Sequence, residues 1–243
     1  MQDTARPFNP PNTCSTCPIR HQAVCSACPP DELSVLESLK SYRRYERGET
    51  IIWAEEPLTH LGSIVDGAAF LNRTLEDGRM QIVGLMLPSD FIGRPDRATI
   101  AHDVVAATEV TLCRFEKQVF STLLSRSSLM MQRMLAMTSD DLDAARDWIL
   151  LLGRKTARER VAGFLSLLSR RAIRETGMPP RGGLTLTLPV SRADLANYVG
   201  ITPETASRQL GHLRQDGIIE TPTRHEIIIP SLAELFKEAR EPD

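Results

Sequence analysis

The stretch Ser191-Arg-Ala-Asp-Leu-Ala-Asn-Tyr-Val-Gly200-Ile-Thr-Pro203-Glu-Thr-Ala-Ser-Arg208-Gln-Leu-Gly-His-Leu-Arg214 predicts two short helices joined by a tight turn. Ser191 is a favourable N-cap for the first helix, and Gly200 supplies the positive φ that such a turn requires. Pro203 stands at the first position of the second helix, where its missing N–H costs nothing. The positions that would face inward are all apolar: Leu195, Ala196, Val199, Ala206, Leu210 and Leu213. A capped helix, a glycine turn and a second amphipathic helix together predict a helix-turn-helix.

The outward face of the second helix begins with Glu204, Ser207 and Arg208. These side chains lie within about 1.2 helical turns, so they project together from the helix N-terminus. In a helix-turn-helix this position meets base edges in the major groove of double-stranded DNA, where Glu accepts from cytosine and Arg donates to guanine. Residues 217–229 follow as a predicted two-stranded wing. The alternative is that Glu204 and Arg208 form an ordinary i,i+4 surface pair.

The charges of the 243-residue chain are divided unevenly. Residues 1–149 carry 15 basic and 20 acidic side chains, whereas residues 150–243 carry 14 basic and 11 acidic ones. A net positive C-terminal part next to a negative N-terminal part indicates a polyanionic partner for one end only. The sequence has no apolar run long enough to span a bilayer and no secretory signal, so we expect a cytoplasmic protein without a membrane partner.

Residues 42–118 alternate short apolar runs with turns such as Asp66-Gly67 and Glu76-Asp-Gly78. Strands at this spacing predict an antiparallel β-roll of about eight strands. Between residues 117 and 152 the apolar period becomes that of one long helix. The predicted fold class is therefore α+β, with a cysteine-rich segment at 1–28 ahead of the folded core, the β-roll at 29–116, the helix at 117–152 and the winged helix-turn-helix domain at 153–243.

One stripe of the long helix carries apolar residues at alternating spacings of four and three. Its members are Met131, Leu135, Thr138, Leu142, Ala145, Ile149 and Leu152, called the seam residues below. This repeat is typical of the a/d seam of a two-stranded coiled coil, so it predicts a homodimer. The alternative is a helix whose stripe packs on its own β-roll.

Four of the five cysteines, Cys14, Cys17, Cys25 and Cys28, fall within fifteen residues. The fifth, Cys113, lies far downstream in a predicted strand. Thiolates this close repel one another unless they are oxidised in pairs or share a cation. Disulfides are disfavoured in the cytosol, which leaves a zinc site or an iron–sulfur cluster. A tetrahedral zinc site would use the four N-terminal cysteines and leave Cys113 an inert strand residue.

The order of β-roll, long helix and winged helix-turn-helix resembles the CRP/FNR transcription regulators over essentially the whole chain. The most specific motif is Glu204-Thr-Ala-Ser207-Arg208, which is similar to the E-x-x-S-R of the FNR branch. Trp148-Ile-Leu-Leu-Leu152 and Pro88-Ser-Asp-Phe-Ile-Gly93 are also similar to that branch. Together with the N-terminal cysteines, these motifs resemble the FNR-type oxygen regulators of α-proteobacteria.

This resemblance implies an oxygen-labile [4Fe–4S] cluster on Cys14, Cys17, Cys25 and Cys113, with Cys28 as the alternative third N-terminal ligand. It also implies that the cluster promotes a homodimer, which binds palindromes of TTGAT-like half-sites and recruits RNA polymerase. The β-roll would be the sensor domain, and the protein would regulate anaerobic or microaerobic genes as a global activator. No enzyme is expected, since the sequence lacks a Walker loop, a GxGxxG, a nucleophile elbow and an HExxH.

Two features depart from the pattern of relatives. Some relatives carry a seam aspartate that opposes dimerisation without the cluster, where this chain has Ala145, so we expect more cluster-free dimer. Relatives that bind cyclic AMP use a Gly-Glu and an Arg-Ser pair in the roll, and residues 93–98 lack both. The remaining alternative is a DNA-binding regulator of the same fold with a structural zinc site or a different small-molecule effector.

Overall fold

The computed structural model describes residue 11 and residues 13–176, 183–223 and 225–241, with only the backbone at residues 175 and 176. The chain separates into two compact units, residues 1–141 and 142–243, which are described one at a time. Helix α3, Ser128–Arg154, extends across the boundary between the two units.

The first unit is built on eight strands. They are β1 Ser41–Tyr45, β2 Thr50–Ile52, β3 His60–Asp66, β4 Ala69–Thr74, β5 Met80–Met86, β6 Phe91–Ile92, β7 Asp103–Ala106 and β8 Val110–Glu116. They form two antiparallel sheets in the orders β1-β8-β3-β6 and β2-β7-β4-β5, which confirms the predicted β-roll. The predicted turn at Gly67 has a φ of 87°, and a Cβ there would lie 2.0 Å from the carbonyl oxygen of Glu109, so only glycine fits.

Two short 3-10 turns and helix α1, Pro30–Leu39, precede the strands. The turns belong to the core of the unit, because Ile19, Ala23 and Val24 are buried in the same apolar cluster as Leu36 and Phe120. The expectation that the cysteine-rich segment comes ahead of the folded core is therefore wrong for residues 13–28. Its apolar side chains supply part of the core instead.

The predicted single helix at 117–152 is also wrong, because two helices occupy this range. Helix α2, Lys117–Arg126, ends at Ser127, whose backbone is extended with φ −107° and ψ 105°. The hydroxyl of Ser127 accepts a hydrogen bond from the N–H of Met130 at 3.2 Å and so caps α3. Serine is a favourable N-cap because its hydroxyl accepts a hydrogen bond from a backbone N–H in the first turn of the next helix. The extended backbone of Ser127 therefore ends α2, and its side chain caps α3.

The second unit contains the end of α3 and a set of four helices and two strands. These are α4 Ala157–Thr176, β9 Leu184–Thr187, α5 Arg192–Tyr198, α6 Pro203–Gln215, β10 Glu226–Ile229 and α7 Leu232–Glu238. Helix α4 buries Val161, Phe164 and Leu165 as the centre of this unit, and Tyr198 of α5 packs edge-on against Phe164. The two helices of the predicted helix-turn-helix are present as α5 and α6.

The predicted two-stranded wing at 217–229 is only partly right. Strand β10 pairs along its whole length with β9, whereas its contact with the preceding segment is a single bridge between Glu220 and Ile228. Pro222 offers no N–H to a strand ladder, which explains why pairing stops there. Among the described residues, no helix combines the length and apolar character needed to cross a membrane.

Candidate metal centre and nucleic-acid interface

The N-terminal cysteines are arranged as two similar turns. Cys14 opens the 3-10 turn Cys14–Thr16, Cys25 lies in the 3-10 turn Val24–Ala27, and Cys17 and Cys28 are the residues that end these turns. The N–H of each closing cysteine donates to the carbonyl of the cysteine three residues earlier, at 3.3 Å and 3.1 Å. All five cysteines are free thiols. Each Cys-x2-Cys pair is thus held by its own backbone.

Four of the thiols line one small cavity. They are Cys14, Cys17, Cys25 and Cys113, and apolar and aromatic side chains make up most of the remaining wall. Cys28 is buried but is not part of this wall. The structure therefore brings together the predicted four cysteines and leaves out the alternative one.

The register of the β-roll sheet places Cys113 at this cavity. On β8, Cys113 pairs with Tyr42 of β1 on one side and Ser63 of β3 on the other, and both neighbours line the cavity. A Cβ on Gly62 would lie 2.3 Å from the carbonyl oxygen of Cys113, so the close approach of β3 to β8 depends on glycine at this position.

Polar contacts fix the cysteine segment against this sheet. The guanidinium of Arg20 donates to the carbonyl of Cys25 at 2.7 Å and to that of Cys28 at 3.1 Å. The N–H of Cys14 donates to the carboxylate of Glu37 on α1 at 2.6 Å. These bonds use backbone groups of the cysteines and do not involve their sulfur atoms.

Burial raises the pKa of the thiols at the cavity. It raises the pKa of Cys25 to about 11, and it raises the pKa of Cys113 further, with added repulsion from Cys17, Cys14 and Cys25. The ammonium of Lys40, 3.7 Å from the sulfur of Cys14, lowers the pKa of that thiol but does not cancel the effect of burial. Four thiolates can share this cavity only with a group that brings positive charge.

The four thiols that line the cavity are a donor set of the kind that holds a [4Fe–4S] cluster. Among the described residues, no group of three or more histidine, cysteine or acidic side chains already surrounds a point where one metal ion could sit. The sulfurs that ligate a cubane cluster stand farther apart than those around one ion, since each binds a different iron. A zinc site would also need Cys28, which does not line this cavity and whose pKa is raised to about 12 by burial and by repulsion from Cys25.

Helix α3 has two different faces. Met130 is fully buried, and Met134 and Met137 pack against the core of the first unit. Most of the seam residues are exposed instead: Met131 is 47% exposed, Leu135 66%, Leu142 52% and Ile149 67%, and Thr138 and Ala145 are also exposed. Within the first unit, Met131, Leu135 and Thr138 are therefore exposed and do not pack on the β-roll.

The helix-turn-helix is capped as the sequence predicts. The hydroxyl of Ser191 accepts from the N–H of Asp194 at 3.1 Å, and the carboxylate of Asp194 accepts from the N–H of Ser191, which is a capping box. Gly200 has a φ of 66°, and the hydroxyl of Thr202 accepts from the N–H of Thr205 at the start of α6. The six predicted inward residues are all buried: Leu195, Ala196, Val199, Ala206, Leu210 and Leu213.

The three predicted DNA-contacting side chains, Glu204, Ser207 and Arg208, are all exposed on α6. Hydrogen bonds from its own backbone N–H and from the Thr202 side chain hold the pKa of Glu204 below its usual value. No ion pair between Glu204 and Arg208 is found in the described part of the chain, so the ordinary surface pair is not formed. Both charges face outward from the N-terminal half of the helix.

Some residues that organise these sites were not predicted from the sequence. Arg170 pairs with Glu241 at 3.4 Å and lies 4.4 Å above the ring of Phe236. Arg160 binds four backbone carbonyls, and Arg133 reaches the cysteine segment. These contacts join residues far apart in the chain, and nothing in the local sequence marks them.

Comparison with known proteins agrees with the fold of the two units. The Crp-like helix-turn-helix domain matches residues 159–237, and the cyclic nucleotide-binding domain matches residues 42–127. The chain is 46% identical to the transcriptional activator protein FnrL of Cereibacter sphaeroides over 226 residues, which cover 93% of this chain and 91% of that protein. It is 36% identical to the nitrogen fixation regulation protein FixK of Bradyrhizobium diazoefficiens over 85% of each chain.

Solved structures show the same architecture. The structure of FixK2 from Bradyrhizobium japonicum superposes with a TM-score of 0.74 at 29% identity, covering 84% of this chain and 98% of that one. A β-roll followed by a helix-turn-helix of this kind defines a DNA-binding transcription regulator, not an enzyme. The chain belongs to the CRP/FNR family, whose members are generally dimeric.

Proposed function

We propose that the protein is an oxygen-responsive transcription regulator whose signal is a [4Fe–4S] cluster on Cys14, Cys17, Cys25 and Cys113. The observation that carries this proposal is the cavity whose wall contains these four thiols and excludes Cys28. A bound cluster supplies the oxygen-labile iron–sulfur bonds of the switch. The thiols lose their protons on binding it, and the aromatic and apolar wall limits the access of water.

The same proposal assigns the remaining steps to residues of the chain. The exposed seam residues of α3 meet those of a second copy, which places two helix-turn-helix domains on one palindrome of TTGAT-like half-sites. Glu204, Ser207 and Arg208 then contact base edges. Recruitment of RNA polymerase in the cytoplasm and activation of anaerobic or microaerobic genes complete the proposal, supported by relatives that are named transcriptional activators.

The test is an absorbance spectrum with iron and sulfide analysis on protein purified without oxygen and then exposed to air. We expect a broad visible band and about four irons per subunit in the wild type, both lost in air. Cys113→Ala should abolish the band. Cys28→Ala is the matched control, because it removes a neighbouring buried thiol outside the cavity, and it should keep the band.

The opposite result has an equally clear meaning. Bound zinc without a visible band, lost in Cys28→Ala and kept in Cys113→Ala, would contradict the proposed switch. The protein would then be a DNA-binding regulator with a structural N-terminal segment, and its signal would be sought elsewhere.

A further inference from the structure

Arg133 connects the cysteine segment to helix α3. Its guanidinium donates a hydrogen bond to the backbone carbonyl of Gln22, which lies between the two Cys-x2-Cys pairs. The N–H of Gln22 donates in turn to the carbonyl of Ile19 at 3.1 Å, so the contacted residue belongs to an ordered turn. Arg133 therefore holds the part of the segment that links Cys17 to Cys25.

A second contact joins the far side of the segment to the start of the same helix. Glu32, in the first turn of α1 just after Cys28, accepts a hydrogen bond from the hydroxyl of Ser127 at 2.5 Å. Ser127 is also the residue that caps α3. The middle of the cysteine segment, at Gln22, and the residues that follow its last cysteine are thus both tied to the start of α3.

The first turns of α3 also carry the start of the seam. Met131 and Leu135 stand on the exposed face, whereas Arg133 and Met130 face the first unit. A shift of the cysteine segment that pulls on Arg133 must move or rotate the helix turn that bears Met131. The hydrogen bond from Arg133 to Gln22 consequently lies between the candidate metal centre and the dimer seam.

The hydrogen bonding of Arg133 is incomplete. Its Nε is buried and has no hydrogen-bond partner among the described residues. A buried donor left unpaired is unfavourable, so a small movement of the segment that offers Nε an acceptor would lower the free energy of the new arrangement. The side chain of Arg133 can therefore adopt two arrangements: the present one, and one in which Nε is also paired. A contact that switches between two states requires two such arrangements.

We propose that Arg133 is the positioning residue that transmits the state of the cysteine segment to the dimer seam of α3. This inference rests on the proposed function, since it specifies how cluster loading changes dimerisation. Among the described residues, the hydrogen bond of Arg133 goes to the backbone of Gln22 and not to a thiol, so the proposed coupling acts through Gln22 and the helix. A variant without the Arg133 guanidinium should still bind the cluster, but cluster binding should strengthen its dimer less than in wild type.

The test compares wild type, Arg133→Met, Arg133→Lys and the control Arg126→Met, which removes an exposed arginine at the end of α2. Dimer dissociation constants are measured by sedimentation for cluster-loaded and cluster-free protein, with iron content and the visible spectrum recorded alongside. For Arg133→Met we expect a full cluster but a gain in dimer affinity on loading that is about ten-fold smaller than in wild type, in line with one hydrogen bond to a charged group. Arg133→Lys keeps a cationic donor and should recover part of the gain.

Other outcomes overturn the proposal. An unchanged gain in Arg133→Met, an equal loss in Arg126→Met, or loss of the cluster itself in Arg133→Met would each show that Arg133 does not transmit the signal. Hydrogen exchange on cluster-free protein gives an independent readout: residues 18–28 should exchange faster in Arg133→Met than in wild type, with no change in Arg126→Met. If wild type binds no cluster, the proposed function fails on its own, and unchanged exchange in Arg133→Met would then reject the contact separately.

Discussion

Glu204 and Arg208 stand one helical turn apart on the exposed face of α6, and each offers a DNA base edge a different group. The carboxylate of Glu204 is held near the helix N-terminus by hydrogen bonds that it must exchange for a cytosine amino group. Arg208 is exposed on the same face, and in the proposed complex its guanidinium donates to guanine. Specificity at two separate base pairs should therefore depend on single side chains.

We expect Arg208→Ala to weaken binding to the palindromic site by about 1–3 kcal/mol and to relax the preference at one base pair. Arg214→Ala is the control, because Arg214 is exposed in the last turn of α6, away from the reading face. It should change affinity for specific and scrambled DNA alike. Fluorescence anisotropy on both duplexes measures the difference, and equal losses on the two for Arg208→Ala would refute base reading.

At the level of single residues, local chemistry was predictable and long-range contacts were not. Ser191, Gly200 and Pro203 follow rules that operate over three or four neighbouring residues, and the structure confirms all three positions. Cys113 was included in the metal site only through a family resemblance, since no spacing joins it to Cys14. The bond from Arg133 spans 111 residues of sequence, and a lone arginine in a helix gives no sign of it.

Arg160 links two structural elements, the end of α3 and the helix-turn-helix. It donates to the carbonyls of Leu152 and Lys155 at 2.7 and 2.9 Å, and to those of Val199 and Gly200 at 3.2 and 3.4 Å. These carbonyls lie at the C-terminal ends of α3 and α5, where a cation is favourable. The turn before α6 is thus attached to the helix that carries the seam.

Arg160→Met should destabilise the protein and weaken DNA binding together. It leaves partly buried carbonyls without donors, at about 1–3 kcal/mol, and it loosens the orientation of α6. Arg154→Met, an exposed arginine in the last turn of α3, is the control and should behave as wild type. Urea unfolding and binding to palindromes of varied half-site spacing provide the measurements. An Arg160→Met protein that keeps the spacing preference of wild type would contradict the positioning role.

The elements that sequence periodicity mispredicted share one cause. The apolar period continues across Ser127, so it gives no hint that a serine cap divides α2 from α3. Alternation in 217–229 predicts two strands, but Pro222 limits the first to a single bridge at Glu220, and β10 pairs instead along its other edge with β9. Periodicity reports which side chains are buried, whereas caps and ladder hydrogen bonds decide where elements begin and end.

For the whole molecule, α3 is the element on which the proposed signal and response meet. The buried Met130 and the partly buried Met134 and Met137 pack in the core that also contains the cysteines. The exposed seam residues form the proposed contact with a second chain. Nothing in that stripe opposes pairing without the cluster, because the seam position at 145 holds a small apolar residue. The balance between monomer and dimer should then depend on how strongly the cysteine segment biases α3.

Ala145→Asp tests this balance directly. Two aspartates facing each other across a dimer seam repel, so the dimer dissociation constant of cluster-free protein should rise at least about ten-fold. Ala144→Asp is the matched control, with the same substitution at an exposed position one residue away and off the seam stripe, and it should have a much smaller effect. Sedimentation at micromolar concentration measures the dimer dissociation constants of cluster-free wild type, Ala145→Asp and Ala144→Asp. Wild type that sediments strictly as monomer would show that an apolar seam at Ala145 is not enough to hold the dimer, and that the cysteine segment alone controls it.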